Sequence, residues 1–348
     1  MAKQIQLLDC TLRDGGQGLE DSNKNGFKTE IFTSVDRTSI AQLIADAGID
    51  IVELGCMVES NTNTSNFAIY QNIEELSTYK PRKHHSDQLF VGLYIGPDTD
   101  IDKIPIHTAE MIDGIRVILR YSELQKSLDY CSALVQKGYK VFVQPMLTMR
   151  YSDQELERLI DEANKMRAYA LYFVDSFGYM EEKDVERLYS FYEKRLDKNI
   201  RIGFHAHNNM QLAAQNVRAF LRICHDDRKV IIDSCAIGMG QGAGNMQTEL
   251  AVPYLNENFN KKYDLNRVLD VCEMLEKFRT GEMATWGYSP IKSLSAIHKA
   301  AYKYAVAMKI KKGMTLSEMN KVFEVMPSNI KHRYTQENLE TALDLLKN

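Results

Sequence analysis

Short apolar runs alternate with amphipathic stretches through roughly the first 250 residues, and this alternation limits the possible folds more than any other feature. Eight of the runs have the near-continuous apolar character of strands that are buried on both faces. The pattern predicts strands at residues 5–9, 49–53, 89–96, 115–119, 139–143, 170–175, 200–204 and 230–233. Helical stretches come between them, among them 36–47 and 66–76, and Ser152 with Glu155 forms the capping box of another.

Eight strands that alternate with helices over this length match a TIM (β/α)8 barrel. A doubly wound open sheet is the alternative, but its polar motifs would gather at one switch point rather than follow many strands. In a closed ring the first and seventh strands lie two positions apart. Their ends would then meet at the C-terminal rim, where barrel enzymes place their chemistry.

The pattern changes near residue 258, after which no clear strand remains. Helical stripes run through 264–279, 291–308, 316–325 and 337–346. We therefore predict a barrel catalytic domain over 1–257 and a helical C-terminal extension over 258–348. The extension would pack on the barrel, on a second subunit or on both, and we expect a homodimer or a higher homo-oligomer.

Composition excludes several classes of function. The net charge of −4 gives no global basic field to attract nucleic acid, and no run of 18 apolar residues would span a membrane. No signal peptide is visible, and the six cysteines are scattered without a CxxC pair. We expect a cytoplasmic protein that has no nucleic-acid or membrane partner.

Two short motifs carry residues that can bind a metal. Residues 8–16 end the first strand with an arginine, Asp14 and a predicted turn at Gly15 and Gly16, and residues 203–209 end another strand with His205 and His207. Side chains at i and i+2 of a strand share a face, so the two imidazoles form a ready pair of divalent-metal ligands. The alternatives are a hydrogen-bonded pair of rim histidines and an aspartate that caps or forms a turn before the glycines.

These motifs, taken with a glycine-rich loop at 238–245, resemble the DRE-TIM metallolyases. The three motifs are Asp-x-Thr-Leu-Arg-Asp-Gly, His-x-His and Gly-x-Gly-x-Gly-Ala-Gly-Asn, and they occur in the expected order. The superfamily includes 4-hydroxy-2-oxovalerate aldolase, HMG-CoA lyase, and the isopropylmalate and homocitrate synthases. The resemblance spans residues 5 to about 250, and it is closest to the aldolase branch.

The resemblance implies a divalent metal ion, Mn²⁺ or Mg²⁺ with Co²⁺ as a further candidate, held by Asp14, His205 and His207. It implies that Asn245 coordinates the ion or lies beside it. It also implies that Arg13 stabilises the negative charge of an enolate, which suits a side chain that is always charged. The alternative for Arg13 is a salt bridge across the rim.

Four further residues are candidates to bind or process the substrate. Gly240 and Gly242 belong to the glycine-rich loop, which either binds an anion through backbone N–H groups or only requires positive φ. Glu53 ends the second predicted strand and would transfer a proton, hold a ligand or serve as a structural acceptor. Ser176 would lie near the substrate or cap a helix.

One position departs from the bacterial hydroxy-oxovalerate aldolases, which have an acid–base histidine three residues after the metal-ligating aspartate. Here that residue is Gln17, which we assign to substrate binding; the synthases and HMG-CoA lyase also have glutamine there. The acid–base group would then come from elsewhere. Tyr288 and His298 of the extension are candidates, with packing or surface exposure as the alternative for each.

Three functions follow, in this order. The first is a metal-dependent aldolase or lyase that acts through a pyruvate-type enolate, with a small 2-oxo acid and an aldehyde as its partners. The second is an acyl-CoA-dependent condensing transferase that resembles the isopropylmalate and homocitrate synthases, and Gln17 favours it. The third is a barrel kept as a non-catalytic binding subunit, against which the intact set of Arg13, Asp14, His205 and His207 argues.

Overall fold

Eight parallel strands close into a barrel. A computed structural model describes residues 3–59, 65–95, 97–279 and 286–347. The barrel strands are β1 (Gln4–Asp9), β2 (Ile51–Met57), β4 (Leu89–Ile95), β5 (Gly114–Leu119), β6 (Lys140–Pro145), β7 (Ala170–Asp175), β8 (Arg201–Ala206) and β9 (Lys229–Ser234). The order around the ring is β1-β9-β8-β7-β6-β5-β4-β2, and β1 pairs with β2 to close it. The predicted TIM barrel is confirmed.

The apolar runs form strands because both of their faces are covered. Every residue of β2 and β7 is buried, as a parallel sheet enclosed by helices requires. The helices of the barrel region are α1 (Thr11–Lys24), α2 (Ser34–Asp46), α3 (Ile73–Ser77), α4 (Leu124–Gln136), α5 (Asp153–Met166), α6 (Glu182–Glu193), α7 (Ala213–Ile223) and α8 (Thr248–Phe259). The capping box predicted at Ser152 opens α5, where Ser152 N donates to Glu155 at 2.8 Å.

Two local predictions were wrong. The segment 66–76 is not one helix, because Ile69–Tyr70 forms a short strand, β3, that pairs with the end of β2 before α3 begins. The glycines at 15 and 16 do not form a turn after β1 but lie inside α1. Glycine is required at position 16 because any side chain there would overlap the carbonyl oxygen of Phe67. Close packing therefore decides these positions, against the low helix propensity of glycine.

The end of the chain is helical, as predicted. Its helices are α9 (Leu265–Leu275), α10 (Pro290–Ile297), α11 (Tyr302–Lys312), α12 (Leu316–Val325), α13 (Ser328–Lys331) and α14 (Gln336–Lys347). Helix α9 packs on α2 and joins the hydrophobic core of the barrel, whereas α10–α14 surround a second core that begins at Ile291. The division at residue 258 stays a proposal. In the described part of the chain, no helix is both long enough and apolar enough to cross a membrane.

The extension contacts the C-terminal face of the barrel. Lys303 of α11 forms an ion pair with Asp21 of α1, with Nζ 2.7 Å from Oδ1. Lys299 lies over the ring of Tyr179, which follows β7, with its Nζ 5.6 Å from the ring centroid. The mouth of the barrel therefore lies between the strand ends and the extension.

The packing of α1 gives a stability prediction. We expect Gly16→Ala to lower the free energy of unfolding by about 2–3 kcal/mol, because the added methyl group meets backbone that cannot move without shifting α1. Asn23→Ala, at an exposed position of the same helix, is the control and should stay within about 0.5 kcal/mol. Urea denaturation of both variants measures the difference, and equal stabilities would contradict this account of α1.

Candidate metal centre

The ends of β1 and β8 bring a carboxylate and two imidazoles together. Asp14 lies in the first turn of α1, directly after β1, and His205 lies in β8 with His207 just beyond it. Each of the three offers one ligand atom, and these atoms lie within 4.8 Å of one another. His205 Nε2 is 3.8 Å from Asp14 Oδ2. The two motifs are far apart in sequence but close in space, because β1 and β8 are both neighbours of β9.

Asn245 lies beside this group. Its Nδ2 donates to Asp14 Oδ2 and, at 3.1 Å, to the carbonyl oxygen of Met239. Its Oδ1 is buried and has no hydrogen-bond partner among the described residues. Gly240 packs on the same pair at φ +155°, where a Cβ would lie 3.0 Å from Asp14 Oδ2 and would overlap the Asn245 amide. The glycine at 240 therefore allows the loop to approach the carboxylate.

His205 is held by a carboxylate on its other ring nitrogen. Its Nδ1 lies 2.8 Å from Asp233 Oδ2, at the end of β9. Burial opposes charge on the imidazole, but the hydrogen bonds with Asp233 and Cys10 outweigh it and raise the pKa of His205 to about 9. When Nδ1 donates to Asp233, Nε2 is free to accept a metal ion. Asp233 thus selects the tautomer that ligation requires.

His207 has the opposite electrostatic setting. Burial lowers its pKa to about 4, and the positive charges of His205 and Arg13 act in the same direction against the attraction of Asp14. A neutral imidazole is the form that ligates metals. The two histidines therefore differ in proton content, although they are two residues apart and their ring centroids are 5.0 Å apart.

Arg13 belongs to a buried chain of charges that crosses the barrel. Its Nε donates to Glu53 Oε2 at 2.8 Å, and Nη1 of Arg116 donates to the same oxygen at 2.6 Å. Nη2 of Arg116 donates to Asp233 Oδ2, which also contacts His205. The prediction that Glu53 ends its strand was wrong, because β2 continues to Met57 and Glu53 is its third residue. There it is the acceptor shared by two guanidiniums. The chain connects Arg13 to the candidate metal ligand His205 through hydrogen bonds alone.

The charges of this cluster balance when His205 is protonated. Its positive and negative members are equal in number, three of each: Arg13, Arg116 and His205 against Asp14, Glu53 and Asp233. Buried charges are tolerated only when they are paired and hydrogen-bonded. Replacement of the His205 proton by a divalent cation would leave one net positive charge in the cluster.

The predicted substrate-binding residues differ in how close their contacts bring them to this group. Gln17 Oε1 is 3.3 Å from Arg13 Nη1, so this side chain lies beside the arginine. Gly242 has φ +63° and packs against Asn209, where a Cβ would lie 2.7 Å from Oδ1. Ser176 follows β7, and its Oγ accepts a hydrogen bond from Leu147 N at 2.9 Å. The helix that follows Ser176 is capped by Glu181, so Ser176 does not act as its N-cap.

The two acid–base candidates of the extension have different surroundings. Tyr288 is 59% exposed, and the residue before it is anchored to the glycine-rich loop, because Gly287 N donates to Ala243 O at 3.2 Å. His298 instead packs within the extension, with Nε2 2.8 Å from Asn320 Oδ1 and its ring stacked on Phe323. The described contacts of His298 do not bring it to Asp14 or the histidines.

Sequence reasoning missed three residues of the site. They are Arg116, Asp233 and Tyr172, whose hydroxyl donates to Asp233 Oδ1 at 3.0 Å. Arg116 interrupts the apolar run of β5 and is completely buried, and Asp233 stands near the end of the apolar run of β9. A charged residue inside a strand that must be buried is a signal that it has a buried partner.

The residues present fit a divalent metal ion. Carboxylate and imidazole ligands suit several divalent first-row metals as well as Mg²⁺. Asn245 Oδ1, which has no hydrogen-bond partner among the described residues, adds a fourth donor atom beside the group. Asp233 contacts the second ring nitrogen of His205, as a carboxylate often does for a histidine that binds a metal. The donor set thus supports a metal centre at this rim.

The proton on His205 predicts how metal affinity depends on pH. Its pKa of about 9 means that the metal-free protein carries this proton at neutral pH, and a ligating imidazole must lose it. We expect the association constant for Mn²⁺ to rise about tenfold per pH unit from pH 6.5 to 8.5, with about one proton released per ion. Titration calorimetry in buffers of different ionisation enthalpy measures both quantities. A pH-independent affinity without proton release would contradict the assignment.

The hydrogen bond between Asp233 and His205 predicts a second effect on affinity. We expect Asp233→Asn to weaken Mn²⁺ binding about 10- to 100-fold, because the amide no longer fixes the tautomer of His205 or balances its charge. Tyr172→Phe is the matched control, since it removes one neighbour of Asp233 without touching the imidazole. A folded Asp233→Asn protein, checked by thermal denaturation, that binds Mn²⁺ like the wild type would refute the role of Asp233.

The chain is similar to a known family and to characterised enzymes. The HMGL-like family model matches residues 4–275. A 4-hydroxy-2-oxovalerate aldolase from Carboxydothermus hydrogenoformans is 27% identical over 323 residues, which is 88% of this chain and 90% of the relative. One from Thermomicrobium roseum is 35% identical over 301 residues, or 84% of this chain and 76% of the relative.

A solved structure shares the fold. The HMG-CoA lyase from Brucella melitensis superposes with a TM-score of 0.62 at 16% identity, over 80% of this chain and 99% of that chain. The match of the family model covers most of the chain, as do the alignments with the aldolases. The chain therefore belongs to the HMGL-like family, and it is a carbon–carbon lyase of the aldolase type.

Proposed function

We propose that this enzyme cleaves and forms the C3–C4 bond of 4-hydroxy-2-oxo acids, with pyruvate and an aldehyde as the products of cleavage. The charge balance of the buried cluster carries the proposal. A divalent cation in place of the His205 proton leaves one net positive charge, and a singly charged 2-oxo acid neutralises it. Two curated relatives named for a 4-hydroxy-2-oxo acid support the substrate class.

Asp14, His205 and His207 would hold the cation, with Asn245 as a further oxygen donor. We propose Mn²⁺ or Mg²⁺, with Co²⁺ as a further candidate, because carboxylate and imidazole ligands serve all three ions. When bound, the ion supplies a Lewis acid that stabilises negative charge on a substrate oxygen. The chain's own residues prepare this site: Asp233 orients His205, and burial keeps His207 neutral.

Arg13 would stabilise the enolate oxygen. Its Nε is fixed by Glu53, and its Nη1 lies 3.2 Å from Asp14 Oδ1. The Nη2 group has no protein acceptor among the described contacts and is available to an oxygen that gains negative charge as the C3–C4 bond breaks. Because the guanidinium is already oriented before the substrate binds, little reorganisation energy is needed when that charge develops. Gln17 would position the substrate beside it.

Proton transfer at the 4-hydroxyl needs a group other than Gln17, which cannot accept a proton at neutral pH. We propose Tyr288 in preference to His298, because Gly287 attaches its segment to the loop that carries Gly240 and Gly242. The contacts of His298 with Asn320 and Phe323 support a packing role instead. Ser176 and the two glycines would line the site around the aldehyde portion.

The acyl-CoA-dependent condensing transferase is the second candidate, and Gln17 beside Arg13 favours it. The two functions differ in the products that they release. An aldolase forms pyruvate from 4-hydroxy-2-oxo acids, whereas the transferase would release a free thiol from acetyl-CoA in the presence of a 2-oxo acid. A thiol reagent assay distinguishes them.

We further propose a cytoplasmic homodimer or higher homo-oligomer. All six cysteines are free thiols, which supports a reducing compartment. Large apolar side chains such as Ile297, Leu316 and Leu345 are exposed on the extension, and they support contact with a second subunit. Light scattering of the purified protein gives the oligomeric state.

The role of Arg13 gives the functional test. Pyruvate release from 4-hydroxy-2-oxo acids, coupled to lactate dehydrogenase with and without Mn²⁺, should be metal-dependent. Arg13→Ala should lower kcat about 100- to 1000-fold, because the enolate loses a fixed donor. Arg158→Ala, at an arginine on the outer helix α5, should retain the wild-type rate. An unchanged rate in folded Arg13→Ala would overturn the role of this residue.

A further inference from the structure

A cleft lies across the barrel mouth from the candidate metal centre. It has a volume of about 540 Å³, and it is formed by the segments that follow β5 and β6 and by residues 332–333 of the extension. In the ring order, β6 stands opposite β1 and β5 stands opposite β9. Eight strands spaced about 4.8 Å apart and tilted by about 36° enclose a barrel roughly 15 Å across. A substrate bound at Asp14 and extended across the mouth would therefore reach this cleft.

The cleft is positively charged. Three arginines line it, and Glu123 is its one acidic residue among the described residues. Arg120 is neutralised by Asp98, at 2.6 Å from Nη1 to Oδ1, and by Glu123. Arg150 and Arg333 have no carboxylate within 4.0 Å in the described part of the chain. Two arginines without a salt-bridge partner in the described part of the chain thus line this space from different parts of the fold.

Both arginines act electrostatically on a third residue of the cleft, His332. Burial and the charges of Arg150 and Arg333 lower the pKa of His332, which lies beside both of them in the cleft lining. Arg150 also rests on the ring of Tyr121, with Cζ 4.6 Å from the centroid. The hydroxyl of Tyr121 is in turn fixed by Glu155, at 2.7 Å. The ring of Tyr121 therefore orients the guanidinium of Arg150 before any ligand binds.

The loop that forms the cleft is strained and is attached to the proposed active site. Leu147 has φ +56° and ψ +46°, a left-handed conformation that a branched residue adopts only when its surroundings enforce it. Its N–H donates to Oγ of Ser176, the predicted substrate-binding residue at the end of β7. The hydrogen bond connects the cleft directly to the rim of the site.

We propose that this cleft binds an anionic group at the far end of the substrate. Two guanidiniums beside Met146 and Leu147 suit a carboxylate or phosphate carried on an aliphatic chain. The inference rests on the proposed function and deepens it. The aldehyde that this enzyme releases, or adds to pyruvate, carries its own negative charge and a chain long enough to cross the barrel mouth.

Condensation of pyruvate with a series of aldehydes tests the proposal. The series contains ω-carboxy aldehydes of increasing chain length and neutral n-alkyl aldehydes of the same lengths, each assayed with Mn²⁺. We expect kcat/KM to favour the carboxy aldehyde by about tenfold or more at one chain length. The double variant Arg150→Gln/Arg333→Gln should lower this preference at least about tenfold. Arg158→Gln is the control and should leave the preference unchanged.

The outcomes separate the proposal from the function on which it rests. Equal use of charged and neutral aldehydes by the wild type, or an unchanged preference in the folded double variant, would overturn the anionic cleft and leave the aldolase function standing. Condensation with none of the aldehydes would instead count against the proposed function.

If none of the aldehydes condenses with pyruvate, direct binding measurements test whether the cleft binds an anion. Calorimetric titration with glutarate and with acetyl-CoA compares the wild type with the double variant. Glutarate binding that the variant loses would support a carboxylate site. If the variant loses only acetyl-CoA binding, the cleft binds the phosphates of coenzyme A, and the aldehyde assignment is overturned. If the wild type binds neither anion, the whole proposal is overturned.

Discussion

The ion pairs of Arg116 are the interaction on which the rest of the site depends. Its guanidinium is completely buried inside the barrel and contacts Glu53 on one side and Asp233 on the other. Removal of one partner from such a pair costs about 3–5 kcal/mol, because an uncompensated charge stays buried. Glu53 then fixes Arg13, and Asp233 fixes His205. One arginine thus sets the orientation of both the proposed enolate-binding group and a proposed metal ligand.

The barrel makes this arrangement possible because it brings distant parts of the chain to a single rim. Glu53 and Arg116 are 63 residues apart in sequence, and Arg116 and Asp233 are 117 apart. Parallel strands place their C-terminal ends at the same face, so Asp14 beyond β1 converges with His205 and Asp233 near the ends of β8 and β9 without a long loop. Helix α1 completes the site, since its glycines allow close approach to the segments that contain Phe67 and Gly240.

The sequence was sufficient to predict the barrel, its eight strands and the proximity of the two metal motifs. Those predictions depend on local apolar patterning and on the fixed geometry of a closed ring. It was insufficient where tertiary contacts override local preference. The glycines at 15 and 16 lie in a helix against their propensity, because the Met239 side chain beside Gly15 and the Phe67 carbonyl oxygen beside Gly16 leave no room for a larger residue. Ile69–Tyr70 forms a strand because the end of β2 is available to pair with it.

Arg116 and Asp233 were missed for a related reason. Each is a single charge in an apolar run, and its meaning depends on a partner far away in the sequence. The site residues inferred from the family resemblance fall into two groups, the metal-ligand candidates and the acid–base candidates. Asp14, His205, His207 and Asn245 lie together, whereas the acid–base candidates come from the extension, whose helices carry no motif that ties them to the rim. His298 shows the consequence, because its partners are Asn320 and Phe323.

The central claim is that the rim of β1 and β8 holds a divalent metal ion. The most direct measurement is a crystal structure of the protein grown with Mn²⁺, with diffraction data collected on both sides of the manganese absorption edge. The account predicts an anomalous difference peak bounded by Asp14, His205 and His207, with Asn245 beside it and Asp233 still bonded to Nδ1 of His205. An ordered and empty rim at saturating Mn²⁺, or a peak held by other residues, would contradict it.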